Sequence, residues 1–334
     1  MTSNIDRRSL LLGAGGVAVA AEEHRTTYVY KTVGSLQVKA DVYRPSDDSI
    51  RPVLVWIHGG ALINGHREGI ATQVKQWASV TGYVLVSIDY RLAPETQLPE
   101  IIRDVEDAFT WVRQEGPRLF RANPARIAVA GGSAGGYLTL TAGFRVKPRP
   151  TVLLALWGYG DLIGNWYSKP SPHARHHTIE MSREEAYRQV SGAAISDSRD
   201  RKGDGGAFYQ HCRQFGTWPE AVSGWYPQRE PENFHPYMPL KNVTRRFPPT
   251  VLIHGTADTD VPHDQSVMMA REFSRHGVRH EMISIPGAEH GLAGGDPKLV
   301  DAAYRQAFSF VDRAMGRHAR QAKLDTARSK AENR

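Results

Sequence analysis

The stretch from Ile127 to Leu138 constrains this chain more than any other. An apolar run, Ile127-Ala128-Val129-Ala130, ends in Gly131-Gly132-Ser133-Ala134-Gly135-Gly136, and a helix-compatible stretch from Tyr137 to Phe144 follows. A strand that turns sharply into a helix needs small residues on both sides of the turn. The residue at the apex takes a strained backbone and exposes its side chain. Gly131 and Gly135 flank Ser133 in the G-x-S-x-G pattern of a nucleophile elbow. The pattern by itself is common, and a Gly-rich turn can be only a turn. The strand before it and the helix after it favour the functional reading.

The rest of the chain alternates in the same way. Tyr28–Val33 and Gln37–Tyr43 read as a hairpin around Gly34-Ser35. Pro52–Ile57, Tyr83–Ile88, Thr151–Trp157, Pro249–Ile253 and Glu281–Ile285 are short apolar runs of the kind found in strands buried on both faces. Helix-like sequence lies between Ala61 and Trp77. Pro99–Val112 carries an apolar stripe at helical spacing, and Gln265–His276 and Pro297–Met315 are further helices. The fold class that follows is α/β, with a mostly parallel sheet and helices on both faces. Gly158–Phe247 breaks the rhythm with Pro, Gly, His and Trp. Its one amphipathic stretch lies near Glu180–Val190, and the whole reads as an insert after about the sixth strand.

The chain has 334 residues and is 40% apolar, enough for a large core, but no run reaches the ~18 to 20 apolar residues of a membrane span. Asp6-Arg7-Arg8-Ser9, the apolar stretch Leu10–Ala20 and an A-x-A end resemble a twin-arginine export signal, so residues 1–21 read as a signal or a disordered N-terminus. The formal net charge is +7, and the tail from Gly316 to Arg334 holds six Lys/Arg against two Asp/Glu. That tail reads as a solvated helix end. No aromatic-basic face accompanies it, so nucleic acid is not an expected partner. Cys212 is the single cysteine, which excludes an internal disulfide.

A serine hydroxyl needs a base within hydrogen-bond reach, and the base needs a carboxylate to hold its tautomer. The run Val251–Ile253 leads into His254-Gly255-Thr256-Ala257-Asp258-Thr259-Asp260, and Met282–Ile285 leads into Pro286-Gly287-Ala288-Glu289-His290-Gly291. Reactive groups of open α/β sheets collect beyond the carboxyl ends of strands. Ser133, Asp258 and His290 are therefore the expected triad, with Asp260 the rival acid. An oxyanion needs amide donors, and His58-Gly59-Gly60-Ala61 follows a buried strand. Gly59, Gly60 and Ala134 are the expected oxyanion hole, while His58 holds the loop. His173, His176 and His177 lack nearby ligands of metal-site spacing, so no metal is expected.

Five segments carry a family resemblance: H-G-G-A at 58–61, D-Y-R-L-A-P-E at 89–95, G-G-S-A-G-G at 131–136, H-G-T-A-D at 254–258 and G-A-E-H-G at 287–291. Together they resemble the hormone-sensitive-lipase-like branch of the α/β-hydrolases, the bacterial esterase type. The resemblance implies an α/β-hydrolase domain over 26–315 with a cap over about 160–247, no cofactor, and hydrolysis of small-molecule carboxylic esters with short or medium acyl chains. It also implies that D-Y-R-L-A-P-E buttresses the oxyanion loop. Ala61 departs from the family's fourth glycine, and its methyl is expected to narrow the acyl or alcohol side. The interval from Ser133 to Asp258 is long, and the excess falls in the insert. Trp157, Trp166, Trp218, Trp225 and Tyr226 are candidate wall residues with core packing as their alternative role. A homodimer is compatible with the chain. A serine peptidase resembling the prolyl-oligopeptidase group, an arylformamidase-like amidase and a non-catalytic binding protein are the competing readings.

Overall fold

A computed structural model describes residues 23–190 and 192–316. The export-like segment and the basic tail beyond Gly316 lie outside the described residues. Eight strands form one sheet: β1 Glu23–Val33, β2 Leu36–Pro45, β3 Arg51–Ile57, β4 Val84–Ile88, β5 Ala122–Gly132, β6 Val152–Leu156, β7 Thr250–Gly255 and β8 His280–Ile285. Their order is β1-β2-β4-β3-β5-β6-β7-β8. The hairpin β1–β2 pairs antiparallel with itself and with β4, and every other pair is parallel.

The apolar runs explain this arrangement. In β3, Val53, Val55 and Ile57 face one layer, which holds the helix Leu98–Gln114 and the helix Ala134–Arg145. Leu54 and Trp56 face the other, against Val74, Trp77 and Ala78 of the helix Thr72–Thr81. Residues alternate between faces because the strand period is two, so a strand covered on both sides must be apolar throughout. The helix Pro297–Ala314 closes the second layer with Tyr304, Ala307, Phe310 and Val311. Each large apolar side chain buried in these layers contributes about 1.5–3 kcal/mol.

Two expectations need correction. Residues 61–71 are turns and loop, not helix, because Ala61 and Leu62 have φ of 56° and 64°, which no right-handed helix admits. The stretch 180–190 yields only the helix Arg183–Arg188. The segment between β6 and β7 is built from short helices, of which Gly206–Phe215 is the longest. Among the described residues no helix is long and apolar enough to cross a membrane.

The chain leaves β3 toward β4 on one side and then crosses to β5 on the other. The carboxyl ends of β3 and β5 therefore diverge at a switch point, where open α/β sheets leave a crevice for ligands.

Candidate active site

Ser133 stands at that switch point with φ 57° and ψ −121°. Its amide donates to the Leu156 carbonyl at 2.9 Å, and its own carbonyl accepts from Tyr137 at 3.0 Å. Close approach explains both flanking glycines. A Cβ on Gly135 would run into the Ile57 carbonyl and lie 2.7 Å from the His58 carbonyl oxygen. One on Gly131 would lie 2.7 Å from the Ile57 oxygen and against the Gly135 carbonyl. The end of β3 thus presses directly on the elbow.

His290 and Asp258 arrive from the loops after β8 and β7. His290 Nε2 lies 3.1 Å from Ser133 Oγ, and its Nδ1 lies 2.8 Å from Asp258 Oδ2. A ring nitrogen facing a carboxylate carries the proton, so Nε2 presents a lone pair to the serine hydroxyl. Asp258 Oδ1 accepts from the Asp260 and Val261 amides, each at 2.9 Å. Burial alone would push the Asp258 carboxyl up. Hydrogen bonds from His254 and His290 outweigh it and hold the group down at about 2. His254 Nε2 lies 3.3 Å from Asp258 Oδ2 and 2.9 Å from the Val261 carbonyl, which requires a proton on that nitrogen.

The rival acid sits elsewhere. Asp260 Oδ2 is 3.7 Å from Nε2 of His290, on the side facing Ser133, and so cannot hold the Nδ1 proton. Its Oδ1 accepts from Tyr209 Oη at 2.6 Å and lies 3.3 Å from His176 Nε2. Burial opposes its charge, but His176, His290 and Arg213 prevail and keep it far below the usual carboxylate range.

Gly59 and Ala134 border the serine with backbone, and Gly60 follows Gly59 in the same loop. A Cβ on Gly59 would sit 3.3 Å from the Ser133 Cβ. The Ala134 amide opens the helix Ala134–Arg145, where first-turn N–H groups lack intrahelical partners. Gly60 has φ 107°, and its carbonyl accepts from Ile63 and Asn64 at 2.8 and 2.7 Å.

The loop that carries these glycines is held on every side. His58 Nδ1 donates to the Gly59 carbonyl at 2.8 Å, and burial pushes the ring down to about 4, so it is neutral near pH 7. Tyr90 stacks on that ring and donates to the His58 carbonyl at 3.0 Å. Asp89 accepts from the Arg67 amide at 2.6 Å and its guanidinium at 2.8 Å. Arg91 grips Asp104 with two nitrogens at 2.7 and 2.8 Å, and the Ala93 amide donates to the Leu62 carbonyl at 2.8 Å. Glu95 pairs with Arg201, which also donates to the Ile63 and Ala93 carbonyls.

The aromatic candidates separate. Trp157 and His290 meet edge to face, with ring centroids 6.4 Å apart. Trp218 is fully buried and donates Nε1 to the Ala61 carbonyl at 3.0 Å. Trp166 stacks on Tyr167, and Trp225 packs against Phe234 and Tyr237. Tyr226 is exposed and bonds Glu220. Among the three clustered histidines, His176 points to Asp260 and His177 to the Ser171 carbonyl. No metal-binding group of three His, Cys, Asp or Glu forms among the described residues.

Sequence reasoning missed Glu289, Arg201, Asp104 and Tyr209. Glu289 Oε2 accepts from the amides of Thr259 and His290, each at 3.1 Å, and so ties the two loops together. Its position beside His290 was a usable signal. The other three act across long sequence separations with no local mark.

Comparison with known proteins bears on the family and the fold. A family model described as the alpha/beta hydrolase fold matches residues 54–202, and one of the prolyl oligopeptidase family matches residues 205–318. Esterase LipC of Mycobacterium tuberculosis is 30% identical over 257 residues, which cover 75% of this chain and 56% of that protein. The chain therefore spans little more than half of that relative. The non-reducing polyketide synthase Preu3 of Preussia isomera is 26% identical over 345 residues, 86% of this chain but 13% of the synthase. Among solved structures, an esterase of Pyrobaculum calidifontis superposes with a TM-score of 0.62 at 24% identity, covering 88% of this chain and 86% of that one.

Proposed function

The chain belongs to the α/β-hydrolases, in their hormone-sensitive-lipase-like branch, and on that premise we propose that it is a serine hydrolase of carboxylic esters with short or medium acyl chains. Ser133 Oγ attacks the acyl carbon while His290 Nε2 takes its proton. Asp258 holds the imidazole and offsets the positive charge that forms on it. The amides of Gly59, Gly60 and Ala134 receive the oxyanion. His290 then delivers its proton to the leaving alcohol, and water, activated by the same nitrogen, releases the acid. His58, neutral and buried, takes no proton in this scheme. The residues from about 160 to 247 act as a cap that shapes the pocket, and export through the twin-arginine-like segment completes the proposal.

The single observation that carries this reading is the placement of His290 between a carboxylate at 2.8 Å and a hydroxyl at 3.1 Å. A second reading, a serine peptidase, is favoured by the prolyl oligopeptidase match over 205–318. Labelling by a fluorophosphonate tests for a live nucleophile. Matched p-nitrophenyl ester and aminoacyl-anilide assays separate esterase from peptidase. Ser133→Ala is expected to cut ester turnover roughly 10⁴- to 10⁶-fold. Turnover within tenfold of the parent would overturn the assignment.

A further inference from the structure

Among the described residues, Asp260 is the one acidic group placed against the reactive nitrogen of His290 without being the acid that orients it. Its two oxygens are used differently. Oδ1 is committed to Tyr209 and His176, both from the segment between β6 and β7. No hydrogen bond among the described residues reaches Oδ2, which lies 3.7 Å from His290 Nε2 and 3.8 Å from Arg175 Nη2. The carboxylate is buried, with 10% of its side chain exposed, and the hydrogen bond from Tyr209 fixes its orientation. Oδ2 is therefore a rigid acceptor beside the nitrogen that hands a proton to the leaving group.

We propose that Asp260 makes the site selective for esters whose alcohol carries a hydroxyl on the carbon next to the ester-bearing carbon. The proposal rests on the serine-esterase reading. When the tetrahedral intermediate collapses, the alcohol oxygen sits at hydrogen-bond distance from His290 Nε2. Asp260 Oδ2 borders that same point. A neighbouring hydroxyl donates to Oδ2 without leaving the reactive pose, whereas an alkyl group there meets a charged, desolvated oxygen with nothing to offer it. The group selected is a hydroxyl and not an ammonium, because Arg175 and the buried Arg213 already face the carboxylate and repel a second cation.

The test compares 2-hydroxyethyl butyrate with propyl butyrate, which differ only in a terminal hydroxyl for a methyl. The wild-type chain is expected to favour the hydroxyl ester in kcat/KM by roughly ten- to a hundredfold, the range of one hydrogen bond to a charged group. Asp260→Ala is expected to bring the ratio to near unity. Asp260→Asn, whose amide oxygen still accepts from Tyr209 and preserves the packing, is expected to lower it several-fold. Any change in the basicity of His290 affects both esters alike and cancels in the ratio, so a merely structural role for Asp260 would leave it unmoved. A wild-type ratio near one, or a preference that survives both substitutions, overturns the proposal. If the wild type turns over neither ester nor p-nitrophenyl butyrate, the esterase reading itself fails and takes the proposal with it.

Discussion

Tyr90 and His58 are joined twice: the tyrosine hydroxyl donates to the histidine carbonyl at 3.0 Å, and the two rings stack with centroids 4.3 Å apart. Both residues are buried. The carbonyl that Tyr90 holds belongs to the peptide unit whose N–H is the Gly59 amide, so its orientation is also the orientation of a proposed oxyanion donor. Tyr90→Phe keeps the stack and removes the bond. It leaves a buried carbonyl without this partner, at a cost of about 1–3 kcal/mol. The melting temperature is expected to fall, and kcat on a p-nitrophenyl ester to drop roughly ten- to a hundredfold with KM little changed. A parent-like kcat in a destabilised variant would show that Tyr90 supports the fold and not the donor.

The elbow predicts an ordering of two glycine substitutions. A methyl on Gly135 collides with backbone, the carbonyls of Ile57 and His58, which cannot move without parting β3 from β5. A methyl on Gly143, in the last turn of the same helix, meets the Phe247 ring at 2.6 Å and Leu153 Cδ1 at 2.8 Å, which are side chains that can shift. Alanine there also recovers part of the about 1 kcal/mol by which glycine trails alanine in a helix interior. Gly143→Ala is expected to cost about 1–3 kcal/mol at most. Gly135→Ala is expected to fail to fold or to lose all turnover. Soluble yield and thermal melts of the two variants check the order, and equal damage would contradict it.

These contacts also mark what was legible in the sequence. Buried parallel strands announce themselves as apolar runs, and the elbow as glycines around a serine, because both are local patterns. The β3, β5, β7 and β8 loops then have only one end of the sheet to occupy, which is how Ser133, Asp258 and His290 come together. The loop after Gly60 reads as helix because its composition permits one, and only the left-handed backbone of Ala61 and Leu62 forbids it. The segment between β6 and β7 hid its role more thoroughly. Trp218 reaches Ala61 across 157 positions and Arg201 reaches Glu95 across 106. Short helices packed by such distant contacts leave no period to read.

His58 sets a pH dependence of stability. Burial lowers its ring from the ordinary 6.5 to about 4. Between those values the unfolded chain binds a proton that the native state refuses, so stability falls as pH drops from 6.5 toward 4 and then levels off for this group. The loss is on the order of 3 kcal/mol. His58→Asn, whose amide can donate to the Gly59 carbonyl in place of Nδ1, is expected to flatten that part of the curve. Asp258 acts in a separate window. Its carboxyl is depressed to about 2, so its contribution is present above the ordinary 3.8 and is lost as pH falls toward 2. Urea titrations of both proteins from pH 4 to 7 isolate the His58 share. Parallel curves would show that its ring is not the titrating group.

Arg201 joins the segment between β6 and β7 to the loop that carries the glycines. Its guanidinium pairs with Glu95, with both side chains almost fully buried, and it also donates to the carbonyls of Ile63 and Ala93. Removing one partner of such a pair strands the other charge in a desolvated site, which costs about 3–5 kcal/mol. Arg201→Met is therefore expected to be severe, since it abandons a carboxylate and two carbonyls together. Glu95→Gln also leaves a buried charge, the guanidinium, but should be milder, because the amide oxygen and the Ile63 and Ala93 carbonyls still accept from it. The double variant Arg201→Met with Glu95→Gln should be more stable than Arg201→Met alone, because no buried charge remains. Thermal melts of the three variants measure this coupling. If the second substitution rescues nothing, the value of Arg201 lies in the two carbonyls it holds and not in its charge.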